Sequence, residues 1–170
     1  MQLVPAQKNT YSMIKEQLIK HTLNTLKVEL EGAIAATQQA HDSATHEQSK
    51  AETQYDTLGL ENAYLAQGQS RRIADLSQAI SLLENWKVLS FDQGDEIYLG
   101  ALLTLKNINK DQDMHVFIAP AGGGIMAKLD KLNYQVITPK TPLGQSLLGL
   151  TMEECVTLNN GEQFEITAIS

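Results

Sequence analysis

Along the first half of the chain, apolar and small residues recur at alternating steps of four and three. One run comprises Ile19, Leu23, Leu26, Leu30, Ala33, Thr37, Ala40, Ala44, Glu47 and Ala51, and a second comprises Asn62, Ala66, Gln69, Ile73, Leu76, Ile80 and Leu83. That spacing keeps one face of an α-helix in line, so the pattern predicts two long helices. The runs are mirror images in size. Large aliphatics come early in the first and late in the second, while alanines and polar residues fill the ends that meet in sequence. Folded antiparallel, the pair forms a hairpin packed by Leu and Ile at its base and narrow and weakly held at its far end, because an alanine buries much less area than a leucine. The turn is expected near 53–59, with Gly59 supplying a left-handed residue or a helix break. A second helix of about thirty residues is roughly 45 Å long, which pairs it with the first helix from Asn24 onward. Tyr11 to Leu23 then projects past the base. Its Met13, Ile14, Leu18 and Ile19 need another surface, either the second half of the chain or a second copy.

The pattern changes near Trp86. No proline and only three glycines lie between Lys8 and Lys87, whereas three of the four prolines and most glycines follow. The later half reads as strands separated by turn residues: "IYLGALLTL", "MHVFIA", a short "QVI", and "CVTL" joined to "QFEITAI" through Asn160 and Gly161, a hairpin signal. Between them, "TPLGQSLLG" predicts one short helix with Thr141 as N-cap, Pro142 at the first helical position and Gly149 just past the end. The fold class is therefore α+β. Residues 1–87 are expected to form a long antiparallel helical hairpin, a coiled coil with its tip near 52–61. Residues 88–170 are expected to form a small antiparallel sheet domain with one short helix.

The residues "TPLGQSLLGL" and "GEQFEITAIS", together with an acidic hairpin tip, give a resemblance that covers most of the chain. It resembles the bacterial Gre family of transcript cleavage and transcription elongation factors. That family shows a Ser-Pro-Leu-like turn, an Ala-Leu-Leu-Gly helix end and a final Gly-x-x-x-x-Ile-x-x-Ile strand; the matching positions here are Thr141, Pro142, Leu143, Gly144, Leu147, Leu148, Gly149, Gly161, Ile166 and Ile169. The resemblance implies an FKBP-like C-terminal domain that docks on RNA polymerase and a hairpin that enters its secondary channel. Partner contacts are then expected at Tyr55, Thr141, Pro142, Leu143, Gly144 and Leu147, with nascent RNA met only indirectly. It further implies that tip carboxylates assist the polymerase in trans, helping to hold a Mg2+ ion that is shared with the polymerase and not tightly bound by this chain alone.

In the family the tip reads Asp-x-x-Glu-Asn-Ala, and here it reads "ETQYDTLGLENAY". Two assignments stay open. Glu52 and Asp56 are four apart and share a helix face if the first helix continues through Tyr55. Alternatively Asp56 and Glu61 take the two places, at an interval of five. Magnesium prefers octahedral oxygen ligation and accepts only one or two carboxylates from one protein, so an incomplete cage at the tip suits a metal completed by a partner. Such an ion lowers the pKa of a bound water and stabilises charge on the attacked phosphate. The plainer reading is that these acids keep a helix end hydrated or complement the dipole of the second helix. Tyr55 and Tyr64 are read as packing across the tip or as contacts to substrate or polymerase, and Arg71 and Arg72 as partners of acids on the facing helix or as guides to docking. In place of the Gly-Asp turn that many relatives have after the short helix, this chain has "TMEEC", with Met152, Glu153 and Glu154.

Composition narrows the alternatives. With 170 residues and 42% hydrophobic content, the chain can build one moderate core or a compact domain plus an elongated part. A formal net charge of −7 argues against free DNA binding and against attraction to anionic membranes. One cysteine, Cys155, excludes an intrachain disulfide, fits a reducing cytoplasm, and is expected as core filler. "MQLVPAQKNT" lacks the apolar run of a signal peptide, and no stretch has the length of a membrane span. His41 and His46 are five apart and share no helix face, which argues against zinc. "PAGGGI" lacks the phosphate-loop pattern and reads as a loop between strands. There is no Ser-His-Asp set, and few aromatic residues are available to wall a prolyl isomerase pocket. The resemblance implies an accessory factor that assists the hydrolytic activity of RNA polymerase, and not an enzyme in its own right. Two alternatives stand beside cleavage stimulation: a channel-binding regulator of the same architecture that modulates or inhibits the polymerase, and a coiled-coil adaptor unrelated to transcription.

Overall fold

The computed structural model describes residues 5–48 and 57–170, with side chains described for 10–42 and 64–170. Helix α1 spans Pro5–Gln48 and α2 spans Thr57–Glu84, 44 and 28 residues long. Both helices need tertiary support, because their exposed faces are polar and their apolar stripes are narrow. That support is concentrated at one end. Leu18, Leu26, Ala33, Leu76, Ile80 and Leu83 are buried, with Ile19, Leu23, Leu30 and Ile73 packed beside them. Toward the opposite end Ala40 and Ala66, which occupy the same seam, are exposed. Ion pairs across the hairpin join Lys27 to Glu84 at 2.7 Å and Arg72 to Glu29 at 3.8 Å, the latter as expected for Arg72. Gly59 lies in the first turn of α2 and so does not break the helix, a correction to its expected place in the turn.

A connector, 85–101, leads to a sheet of six strands: β1 Leu102–Asn107, β2 Asp113–Ile118, β3 Met126–Leu129, β4 Leu132–Ile137, β5 Cys155–Thr157 and β6 Gln163–Ile169. The strand order is β3-β4-β2-β1-β6-β5. The α+β class, the long helices and the single short helix α3 (Pro142–Leu147) are as expected, but the sheet is mixed and not wholly antiparallel. Strands β2 and β4 pair in parallel, Phe117 opposite Val136, because the chain crosses over through "PAGGGI" and inserts the β3–β4 hairpin at the edge. Within "IYLGALLTL" only the second part is strand; Gly100, at φ +101, bends the first part away. The "NNGE" turn forms as predicted, with Gly161 at φ +82 between β5 and β6.

Alternation along the central strands sorts the sheet into two buried faces. Leu102, Phe117, Ala127, Tyr134 and Val136 face the hairpin base, where Trp86 stacks at 5.8 Å from Phe117. Leu103, Leu105, Val116, Ile118, Ile137 and Ile166 form the other core with Phe91, Ile97 and Leu147 of α3. The hairpin base is therefore one layer of a three-layer body. The projecting turn of α1 meets the sheet through Ile14, Leu18 and Ile19, but Met13 points outward at 54% exposure. It does so because it is off the Tyr11, Ile14, Leu18 stripe that the sheet covers. Loop glycine Gly122, at φ +82, lies so near α1 that an added Cβ would come within 2.3 Å of the Thr22 methyl. His21 Nε2 lies 3.2 Å from the Met126 carbonyl oxygen. Cys155 is exposed on the edge strand β5, a second correction, since the pleat turns it away from the core that Val156 enters.

Candidate functional site

The expected site has two parts, and their positions differ. Glu52, Tyr55 and Asp56 lie outside the described residues. Glu61 lies in the second turn of α2, and its side chain is likewise outside the described set. What is described is the rod that leads to them. Around its distal third Tyr64 and Leu65 are 67% and 62% exposed, so Tyr64 does not pack across the hairpin. Next to them Gly68, Gln69 and Arg72 line a shallow depression.

The second part is the start of α3. Thr141 is extended, φ −72 and ψ 151, and its Oγ1 accepts a hydrogen bond from the Gly144 N–H at 3.1 Å while donating to the Thr138 carbonyl at 2.8 Å. A side-chain oxygen in this position satisfies one of the free N–H groups of the first turn. Pro142 follows at N1, where its missing N–H costs nothing. Gly144 is buried against the preceding loop; a Cβ there would sit 2.1 Å from the Thr138 carbonyl oxygen. Leu147 is fully buried in the core beneath. Of the five expected partner contacts in this segment, Pro142 is exposed and Thr141 and Leu143 are half-buried, whereas Gly144 and Leu147 are turned inward and act by setting the helix in place.

Thr141, Pro142 and Leu143 border a groove of about 470 Å³ whose far walls come from Met114, Gln135 and Leu158. Its lining contains no charged and no aromatic side chain. Such a surface can accept apolar groups and amide hydrogen bonds from a partner. It offers no acid, base or metal ligand, and it lacks the aromatic walls of a prolyl isomerase pocket. Behind it, Glu153 takes a left-handed conformation, φ +70, within the "TMEEC" turn. Glu154 caps that turn by accepting from the Thr151 N–H at 2.6 Å.

One residue escaped the sequence reading. Lys15 is 2% exposed; its Nζ donates to the Leu89 carbonyl at 2.9 Å and lies 4.8 Å from the centre of the Phe91 ring. Burial lowers its pKa from 10.5 to about 8. The signal was its position on the Tyr11, Leu18, Thr22 face, a polar side chain on an otherwise core-facing stripe. Tyr134 is also perturbed, its pKa raised by burial first and then by Asp130 and Tyr11. Among the described residues no group of three or more His, Cys, Asp and Glu side chains is gathered as a metal site. Nor is any described helix long and apolar enough to cross a membrane.

No protein-family model and no curated protein matches the chain. Several solved structures are similar to it. GreA factor homolog 1 (Gfh1) of Thermus thermophilus aligns at 20% identity over 87% of this chain and 94% of its own, with a TM-score of 0.37. Gfh1 of Thermus aquaticus aligns at 21% identity over 88% and 94%, with a TM-score of 0.35. The prokaryotic transcription elongation factor GreA/GreB from Nitrosomonas europaea aligns at 12% identity over 67% and 95%, with a TM-score of 0.33.

Proposed function

We propose that this chain is an accessory factor of RNA polymerase, which docks through the α3 face of its sheet and delivers the hairpin tip to the polymerase active centre. The observation that supports this reading most is the asymmetry of the hairpin. Its base is built into the core through Leu18, Leu26, Leu76 and Leu83, while the seam further out is narrow, with Ala40 and Ala66 exposed. A rod that is fixed at one end and slim at the other suits insertion into a confined channel. The segment it presents contains Glu52, Asp56 and Glu61.

In this reading the chain performs no turnover alone. Glu52, Asp56 and Glu61 would add oxygen ligands to a Mg2+ ion held mainly by the polymerase, and that ion would supply water activation for cleavage of backtracked RNA. The uncharged groove beside Thr141, Pro142 and Leu143 takes an apolar segment of the polymerase, and nascent RNA is met only at the active centre. The divided factor, residues 1–87 for delivery and 88–170 for docking, works as one body because the hairpin base and the sheet share a core.

The test is RNA cleavage in stalled elongation complexes with magnesium, comparing the intact chain with Glu52→Ala, Asp56→Ala and Glu61→Ala. At least one substitution abolishes stimulation while polymerase binding persists; equal cleavage with all three removes the metal role. A second reading draws support from the interval of five between Asp56 and Glu61. It predicts that the intact chain binds the polymerase and slows elongation without stimulating cleavage. Failure to co-purify with RNA polymerase would leave the adaptor reading.

A further inference from the structure

Where the connector crosses α1 it leaves a cavity of about 270 Å³ that neither polymerase docking nor tip delivery uses. Tyr11, Ser12 and Lys15 of α1 line one side, and Leu89, Ser90 and Phe91 of the connector line the other. Ser12, Leu89 and Ser90 are exposed, so the cavity is open to solvent, whereas Lys15 is 2% exposed. An ammonium ion carries three N–H donors. One reaches the Leu89 carbonyl at 2.9 Å, and the centre of the Phe91 ring lies 4.8 Å from Nζ. Among the described residues no other acceptor bonds Nζ, and no carboxylate lies within ion-pair distance of it. The buried ammonium is left with donor capacity and an unbalanced charge, an unfavourable state that an anion entering the cavity relieves. We propose that this cavity binds a small monocarboxylate with a short aromatic or branched apolar body, its carboxylate taken by the Lys15 ammonium.

The lining decides the ligand class. One positive charge is balanced by one negative charge, which favours a monoanion over a doubly charged phosphate. The hydroxyls of Ser12, Ser90 and Tyr11 offer further donors to the carboxylate, and a charge-assisted N–H···O bond from Lys15 is roughly twice as strong as a neutral one. Leu89 and Phe91 favour an apolar body beside that head. Its size is limited, because the cavity lies just below the roughly 300 Å³ at which sites for drug-sized ligands begin, so a single ring suits it. The Lys15 pKa of about 8 agrees with this use, since most of the side chain is still protonated at neutral pH. A bound carboxylate ties α1 to the connector, at the joint between hairpin base and sheet.

The test titrates benzoate into the full chain at neutral pH and follows its backbone amide NMR signals. Saturable shifts are expected at Tyr11, Ser12, Lys15 and 89–91, with a Kd on the order of 1 mM. Benzyl alcohol, which has the ring without the charge, and inorganic phosphate, which has charge without the ring, each bind at least about tenfold more weakly. Ser90→Ala, at an exposed position that leaves the ammonium in place, weakens benzoate about threefold. Folded Lys15→Met loses the response. Absence of saturable shifts at these positions up to about 10 mM benzoate overturns the proposal. So does benzyl alcohol or phosphate binding as tightly as benzoate, or a benzoate response that survives in folded Lys15→Met.

Discussion

The two ends of the hairpin are built from the same two helices and obey different rules. At the base, Leu18 and Leu83 are 0% and 1% exposed and contact a sheet face made by Leu102, Phe117 and Val136. Toward the tip, Tyr64 and Leu65 face solvent, and small residues fill the seam. A helix gains most of its stability from the face it buries, so the base belongs to the global fold while the distal rod, among the described residues, is held by helix propensity and the long Arg72–Glu29 ion pair. The difference separates two tasks: the base fixes direction, and the distal part keeps a narrow cross-section at the expense of local stability.

The largest effect that checks this contrast is at the base. Leu83→Ala removes a buried side chain shared by both helices and the sheet, and is expected to lower unfolding stability by about 3 kcal/mol in urea denaturation. The next is a pH effect at the junction. Because Lys15 is harder to protonate in the fold than in the unfolded chain, the unfolded state holds more protons between pH 8 and 10.5, and stability rises across that window. The rise is on the order of 2 kcal/mol, and Lys15→Met flattens it; parallel curves for the two proteins would contradict the burial of the charge.

A smaller change sharpens the comparison from the sheet side. Glu153→Gly relieves a left-handed residue, φ +70, and is expected to stabilise the fold against global unfolding by about 0.5–1 kcal/mol. Amide exchange in 64–72 stays unchanged, because the distal rod opens independently of the global transition. The smallest effect belongs to the rod itself: Leu65→Ala shifts stability by less than about 0.5 kcal/mol.

The sequence was most informative where structure depends on near neighbours. The heptad spacing gave both helices, and Thr141, Pro142 and Gly149 marked the short helix, because caps and turns are decided within a few residues. What it did not show was pairing at a distance. Nothing in "MHVFIA" or "QVI" says that β2 and β4 run parallel, since that follows from a crossover and from what the β3–β4 hairpin leaves to cover. Strand β3 itself, Met126–Leu129, is short and carries Lys128, so its alternation is brief. Cys155 and Met13 show the same limit from another side. Each is apolar by composition, and only the facing layer decides whether it is buried. At the candidate site, the inward roles of Gly144 and Leu147 and the outward position of Pro142 emerge from packing against Thr138 and the sheet, while Glu52 and Asp56 lie outside the described residues. Lys15 was hidden because a lysine on a helix is ordinarily assigned to solvent.

The most direct test of tip delivery places a photo-crosslinking amino acid at position 56 in one variant and at position 142 in another, with RNA polymerase elongation complexes as the target. Crosslinks from 56 to the polymerase segments that hold the catalytic magnesium, and from 142 to a separate outer surface, are the predicted result. Crosslinks from 142 with none from 56, or from 56 only to the polymerase exterior, would contradict it.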